Sequence, residues 1–127
     1  YDRKSNSAEI LSMYSDTLRM LKRYQEGYYE ALEASRLLPE SRVLSVKKKL
    51  AAIQVGKFDP ISEGLEQELA REIVSPFSMI IAAGWALQNK DTRKSNLYLN
   101  QALTHTTKIP SLSALADDPI FKMPASL

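Results

Sequence analysis

A chain of 127 residues, 44% hydrophobic and 25% charged, has room for one packed core and does not read as low-complexity disorder. Its net charge of +2 is too small to imply a polyanionic partner by itself. With no cysteine, disulfides, thiolate metal sites and a cysteine nucleophile are excluded together. The sequence begins at Tyr1 and not at Met. The expectation is a soluble protein, either an intracellular fragment or a mature exported protein that has lost its signal peptide.

Residues 1–6 read as a flexible segment. After it, Ile10, Tyr14, Thr17, Leu21, Tyr24, Tyr28, Ala31, Ser35 and Leu38 follow at alternating steps of four and three. The spacing predicts one helix of about eight turns with this row facing the core. Leu11, Leu18 and Leu32 widen the stripe. Asn6 suits the N-cap, with Glu9 completing a capping box. Pro39 ends the helix, because the residue before a proline is driven out of helical geometry.

A second helix is expected from about Glu40 to Val55, with Val43, Val46, Leu50 and Ile53 as its apolar stripe. Gly56 suits the left-handed position after a helix end. A third begins at Asp59-Pro60, with Leu65, Leu69, Ile73, Phe77, Ile80, Gly84 and Leu87 inward. Pro76 must kink or break it, with Ser75 capping a fresh start. From Val74 to Leu87 the chain is almost wholly apolar, but the run is shorter than the roughly 20 residues a membrane span needs. It reads as a buried central helix. A fourth helix is expected from Thr92 to Lys108, with Asp91 as N-cap and Ser95, Leu99, Ala102, Thr106 and Ile109 as its stripe. Residues 110–127 hold three of the six prolines; one or two short helical turns are expected between Ser111 and Asp118, and beyond them an extended tail that packs on the bundle or docks a partner. The expected fold is all-α: about four helices in an up-and-down bundle over residues 7–109.

Chemistry is scarce. His105 is the single histidine and has no acidic residue three or four positions away, so it forms no metal pair. Glu63, Glu66 and Glu68 lie near a helix start and Asp117-Asp118 in a loop, where carboxylates act as caps and solvated surface. No glycine-rich phosphate loop occurs. No catalytic residue, cofactor or metal is expected.

Charge comes in blocks. Residues 24–40 hold four acids and one base, residues 41–58 five bases and no acid, and residues 59–72 five acids and one base. Neighbouring helices of opposite sign would attract, though each surface pair contributes only about 0–1 kcal/mol. Alternatively Arg42, Lys47, Lys48, Lys49 and Lys57 form a basic face for nucleic acid. That partner is possible but not favoured, since the sequence pI of 8.8 falls below the roughly 9 typical of dedicated binders.

Residues 82–103 place Ala83, Ser95, Leu99 and Ala102 at spacings similar to the tetratricopeptide helical hairpin. The resemblance covers under one repeat, has Ala86 where a large residue belongs, and is not followed by a second copy. It implies hairpin packing only.

Tyr14, Tyr24, Tyr28 and Tyr29 on the first helix suit either core packing or an interface, where tyrosine is enriched. The expectation is therefore a non-catalytic protein–protein interaction module, an adaptor or accessory subunit without a transmembrane segment. Its partner is another protein, met through Tyr24, Tyr28, Tyr29, Ile120, Phe121 and Met123. The alternatives are a nucleic-acid-binding domain using the basic face and, behind it, a small-ligand carrier with a pocket beside the Pro76 break.

Overall fold

The computed structural model describes residues 3–57, 59–104 and 111–122, and the side chains of all of these except residues 3–4, 59–63 and 111. Among them all regular structure is helical and no strand occurs. Seven α-helices follow in order: α1 (Arg3–Met20), α2 (Tyr24–Leu37), α3 (Arg42–Gln54), α4 (Asp59–Leu69), α5 (Pro76–Gln88), α6 (Thr92–Leu103) and α7 (Ser111–Ala116). A 3-10 turn, Pro119–Phe121, closes the described chain. The all-α class holds, but the count is seven and not about four.

The extra breaks have local causes. The expected long first helix stops at Met20 and turns back. Lys22 adopts φ +64°, its N–H donates to the Arg19 carbonyl, and the Arg23 N–H donates to the Leu18 carbonyl. This is a Schellman ending, normally built on glycine because a Cβ is strained in the left-handed region. The same pair of bonds ends α3 at Gly56, φ +81°, and α5 at Lys90, φ +62°. At the break expected near Pro76, the helix ends at Leu69 and a new one starts at Pro76. Ser75 caps it by accepting a hydrogen bond from the Phe77 N–H. Ser41 and Asp91 cap α3 and α6 in the same way.

The α1 face is the reverse of the one the apolar row suggested. Ala8, Ser12, Ser15, Leu18 and Arg19 are buried, while Ile10, Tyr14 and Leu21 are exposed. The inward residues are mostly small, and they meet small ones: Gly27, Ala31 and Ala34 are the buried residues of α2. Close backbone approach joins this pair at Gly27, and Leu11, Leu37 and Leu38 pack around Ala8 and Ala34. A Cβ on Gly27 would stand 2.5 Å from Arg19 Cγ. Asn6 lies inside α1 and not at its cap.

The main core forms around α5. Ile80, Ile81 and Ala82 pack with Val46, Leu50 and Ile53 of α3, Leu65 of α4, Ala102 of α6 and Leu112, Leu115 and Ile120 of the C-terminal segment. The α5 stretch is the buried central helix its apolar character suggested, in contact with α3, α4, α6, α7 and the 3-10 turn. Gly84 lets α3 come close: a Cβ there would meet Leu50 Cδ2 at 2.8 Å. The α5–α6 pair is a packed hairpin with Ala83, Ser95 and Ala102 buried. Ser111–Ala116 is a short helix, as the sequence suggests, and Pro119–Phe121 is a 3-10 turn in place of extended chain. Leu112, Leu115 and Ile120 are fully buried, and apolar burial of that order stabilises by about 1.5–3 kcal/mol per side chain.

Candidate functional site

Two constellations stand out, one inside and one on the surface. The internal one is ionic. Arg19 and Asp118, both fully buried, form a two-pronged pair at 3.0 and 2.6 Å. Arg19 Nε also donates to Gln54 Oε1. Asp118 additionally accepts from the Ile120 N–H at 3.1 Å, which starts the 3-10 turn. Lys47 pairs with Asp16 and lies 4.0 Å from Asp118. Burial raises the pKa of Asp16 above its ordinary 3.8, against the opposing pull of Lys47. Its Oδ1 accepts no hydrogen bond. The cluster holds two cations and two anions and ties α1, α3 and the C-terminal segment together. It is a structural lock. Asp118, which the sequence suggested as solvated surface, is its buried centre.

The surface constellation is a cleft of about 890 Å³ between α2, α3, α4, the chain leading to Ser75, and the start of α5. Helix α3 and its C-terminal turn deliver Arg42, Lys48, Lys49 and Lys57 to it, α2 delivers Tyr28, and Leu65 and Ile81 add apolar wall. The Lys57 ammonium stands 5.1 Å from the Tyr28 ring centroid, and the Arg42 guanidinium 4.6 Å from that of Phe77. Glu68 is the acidic residue of the lining. Its carboxylate is held by Arg71 at 3.1 Å and by the Ser75 N–H at 3.5 Å. No carboxylate whose side chain is described pairs with Arg42, Lys48, Lys49 or Lys57.

The expected site residues divide accordingly. Lys47 leaves the basic face, with a side chain 12% exposed and committed to Asp16. The reason is geometric: three consecutive helical residues point about 100° apart, so Lys47, Lys48 and Lys49 cannot share one face. Ile120 is core, not surface, and Phe121 packs half-buried against that core. Tyr24 and Tyr28 are half-buried, and Tyr29 is exposed with its ring 6.0 Å from that of Tyr28. Met123 and His105 lie outside the described residues.

An apolar surface was missed in the sequence. Ile10, Met13, Tyr14, Met20 and Leu21 of α1 and its turn are each 50–64% exposed. Ile10, Tyr14 and Leu21 belong to the apolar row read from the sequence, which faces solvent and not the core; Met13 and Met20 extend it and carry no separate sequence signal.

Among the described residues no group of three His, Cys, Asp or Glu is placed to hold a metal ion, and no helix is long and apolar enough to cross a membrane. No protein-family model matches the chain, and no curated protein and no solved structure is significantly similar to it.

Proposed function

We propose that this chain is a non-catalytic protein–protein interaction module, an adaptor or accessory subunit, that docks a partner along α1. The exposed apolar row on α1 carries the reading. Ile10, Met13, Tyr14, Met20 and Leu21 recur at helical spacing, with exposed Thr17 between them. The row runs for about 16 Å along the helix axis without a charged member. A contiguous apolar strip of this kind is the sort that another protein covers. The matching partner surface is an uncharged apolar groove or a second amphipathic helix, read at i, i+3, i+4 and i+7 positions. Tyr29 and the half-buried Tyr24 and Tyr28 remain candidates for the edge of that surface.

The test is site-specific photocrosslinking in the native host cell. A photoreactive phenylalanine replaces Tyr14, with the same group at exposed Glu33 as the control. A partner crosslinked from position 14 alone, and lost in a Met13→Asp/Leu21→Asp variant that melts like the parent, supports the proposal. The same products from both positions, or capture unchanged in the variant, would refute it.

A further inference from the structure

The basic cleft has a second, independent implication. Four cations, Arg42, Lys48, Lys49 and Lys57, line one concavity, and none of them pairs with a carboxylate whose side chain is described. Lys48 and Lys49 are half-buried, so part of their hydration is already lost. Like charges brought together in this way repel, and the arrangement favours whatever anion enters. The rest of the lining is mixed: the Tyr28 ring and the Leu65 and Ile81 side chains are uncharged, and Glu68 is paired with Arg71. The volume of about 890 Å³ lies within the range of small-molecule sites, roughly 300–1,000 Å³.

We propose that this cleft binds a small phosphorylated molecule with a flat or apolar body. The phosphate groups, each bearing about −1.5 to −2 charges when terminal, lie among the lysines and Arg42. The body lies against Tyr28 and the aliphatic wall. An extended polyanion fits less well. Lys47 is turned inward to Asp16, and the remaining cations, all from α3 and its C-terminal turn, share their concavity with the Glu68–Arg71 pair. The α4 side carries Glu68, and Glu66 and Glu72 are exposed along the same segment.

Calorimetric titration of the full chain with inorganic pyrophosphate and with adenosine 5′-diphosphate tests this, alongside amide chemical-shift mapping of the unmodified protein. The expected result is saturable binding of both, with shifts clustered at Ala52, Gly64, Ser75 and Ser78. Lys48→Gln/Lys49→Gln should weaken both by about tenfold or more, as loss of charge-assisted bonds does. The charge-matched control Arg93→Gln/Lys94→Gln, on exposed residues of α6, should change them less than about twofold. Tyr28→Ala should weaken the nucleotide and spare pyrophosphate. Absence of binding by both probes at millimolar concentration overturns the proposal. So does equal weakening by the control, or tighter binding of a single-stranded oligonucleotide with shifts centred on α6.

Discussion

Arg19 and Asp118 stand 99 residues apart in sequence and face each other in the interior, joined by hydrogen bonds of 3.0 and 2.6 Å. Removing one member of such a pair leaves the other charged and buried, which costs about 3–5 kcal/mol. Asp118→Ala and Arg19→Met should each lose stability of that order in urea denaturation at neutral pH. The double variant should lose about as much as one single variant, because no lone charge remains at the pair. Costs that simply add would show that the two residues act independently.

Gly27 offers a test in which helix propensity and packing disagree in sign. Alanine is better than glycine inside a helix by about 0.5–1 kcal/mol. Yet the new Cβ at position 27 would press on Arg19 Cγ at 2.5 Å and the Ser15 carbonyl at 3.1 Å. Arg19 cannot shift freely, since its guanidinium is fixed by Asp118 and Gln54. Gly27→Ala should therefore destabilise by about 1–3 kcal/mol. In an Arg19→Ala background most of that loss should vanish. A stabilised Gly27→Ala protein would mean that α1 and α2 are not this close.

These two residues also show what the sequence could and could not reveal. Signals that act over a few residues were legible: Gly56 as a helix stop, Ser75-Pro76 as a fresh start, Asp91 as a cap, and the apolar all-round character of α5. The turn at Lys22 was not, because the left-handed residue is a lysine and carries no glycine signature. The α1 face was misread for a related reason. Ala8, Ser12 and Ser15 look like surface residues, and only the proximity of Gly27 and Ala34 makes them interior. Asp118 sits in a local Asp-Asp-Pro pattern typical of exposed loops, while its partner comes from the other end of the chain. The charge block of residues 42–57 announced the cleft's chemistry but not its concave shape, which depends on α4 and the break before α5.

Lys22 and Gly56 occupy the same position in equivalent helix endings, with φ +64° and +81°. A side chain there is strained, so Lys22→Gly should stabilise by about 0.5–1 kcal/mol. The converse change, Gly56→Ala, should destabilise by about 1 kcal/mol. Nothing lies within 4 Å of the added Cβ at position 56, so the loss would be conformational and not steric. Thermal melts of both variants decide it: a neutral Gly56→Ala would contradict the left-handed ending.

Asp16 makes stability depend on pH. Burial raises its folded-state pKa above the ordinary 3.8, opposed by Lys47 and Arg19 and reinforced by the charge of Asp118. Between the ordinary and the raised value the folded state holds more protons than the unfolded one. The Asp16 contribution is thus fully present below the ordinary value and is lost as pH rises through the raised one. Asp16→Asn should remove this component. The stability of the parent relative to the variant should fall with rising pH across that window. A relative stability that stays flat, or rises, would show that Asp16 is not held in this desolvated state.

The orientation of α1 can be settled by substitutions one helical face apart. Tyr14 and Met13 are at least half exposed, whereas Leu18 is buried. Tyr14→Lys and Met13→Lys should change stability by less than about 0.5 kcal/mol. Leu18→Ala should cost about 2–5 kcal/mol. Had the row of Ile10, Tyr14 and Leu21 faced the core, the ranking would invert, with a lysine at position 14 unfolding the protein. The same variants separate folding from docking. Loss of partner capture in Tyr14→Lys, without loss of stability, is the pattern that a surface row requires and a core row cannot produce.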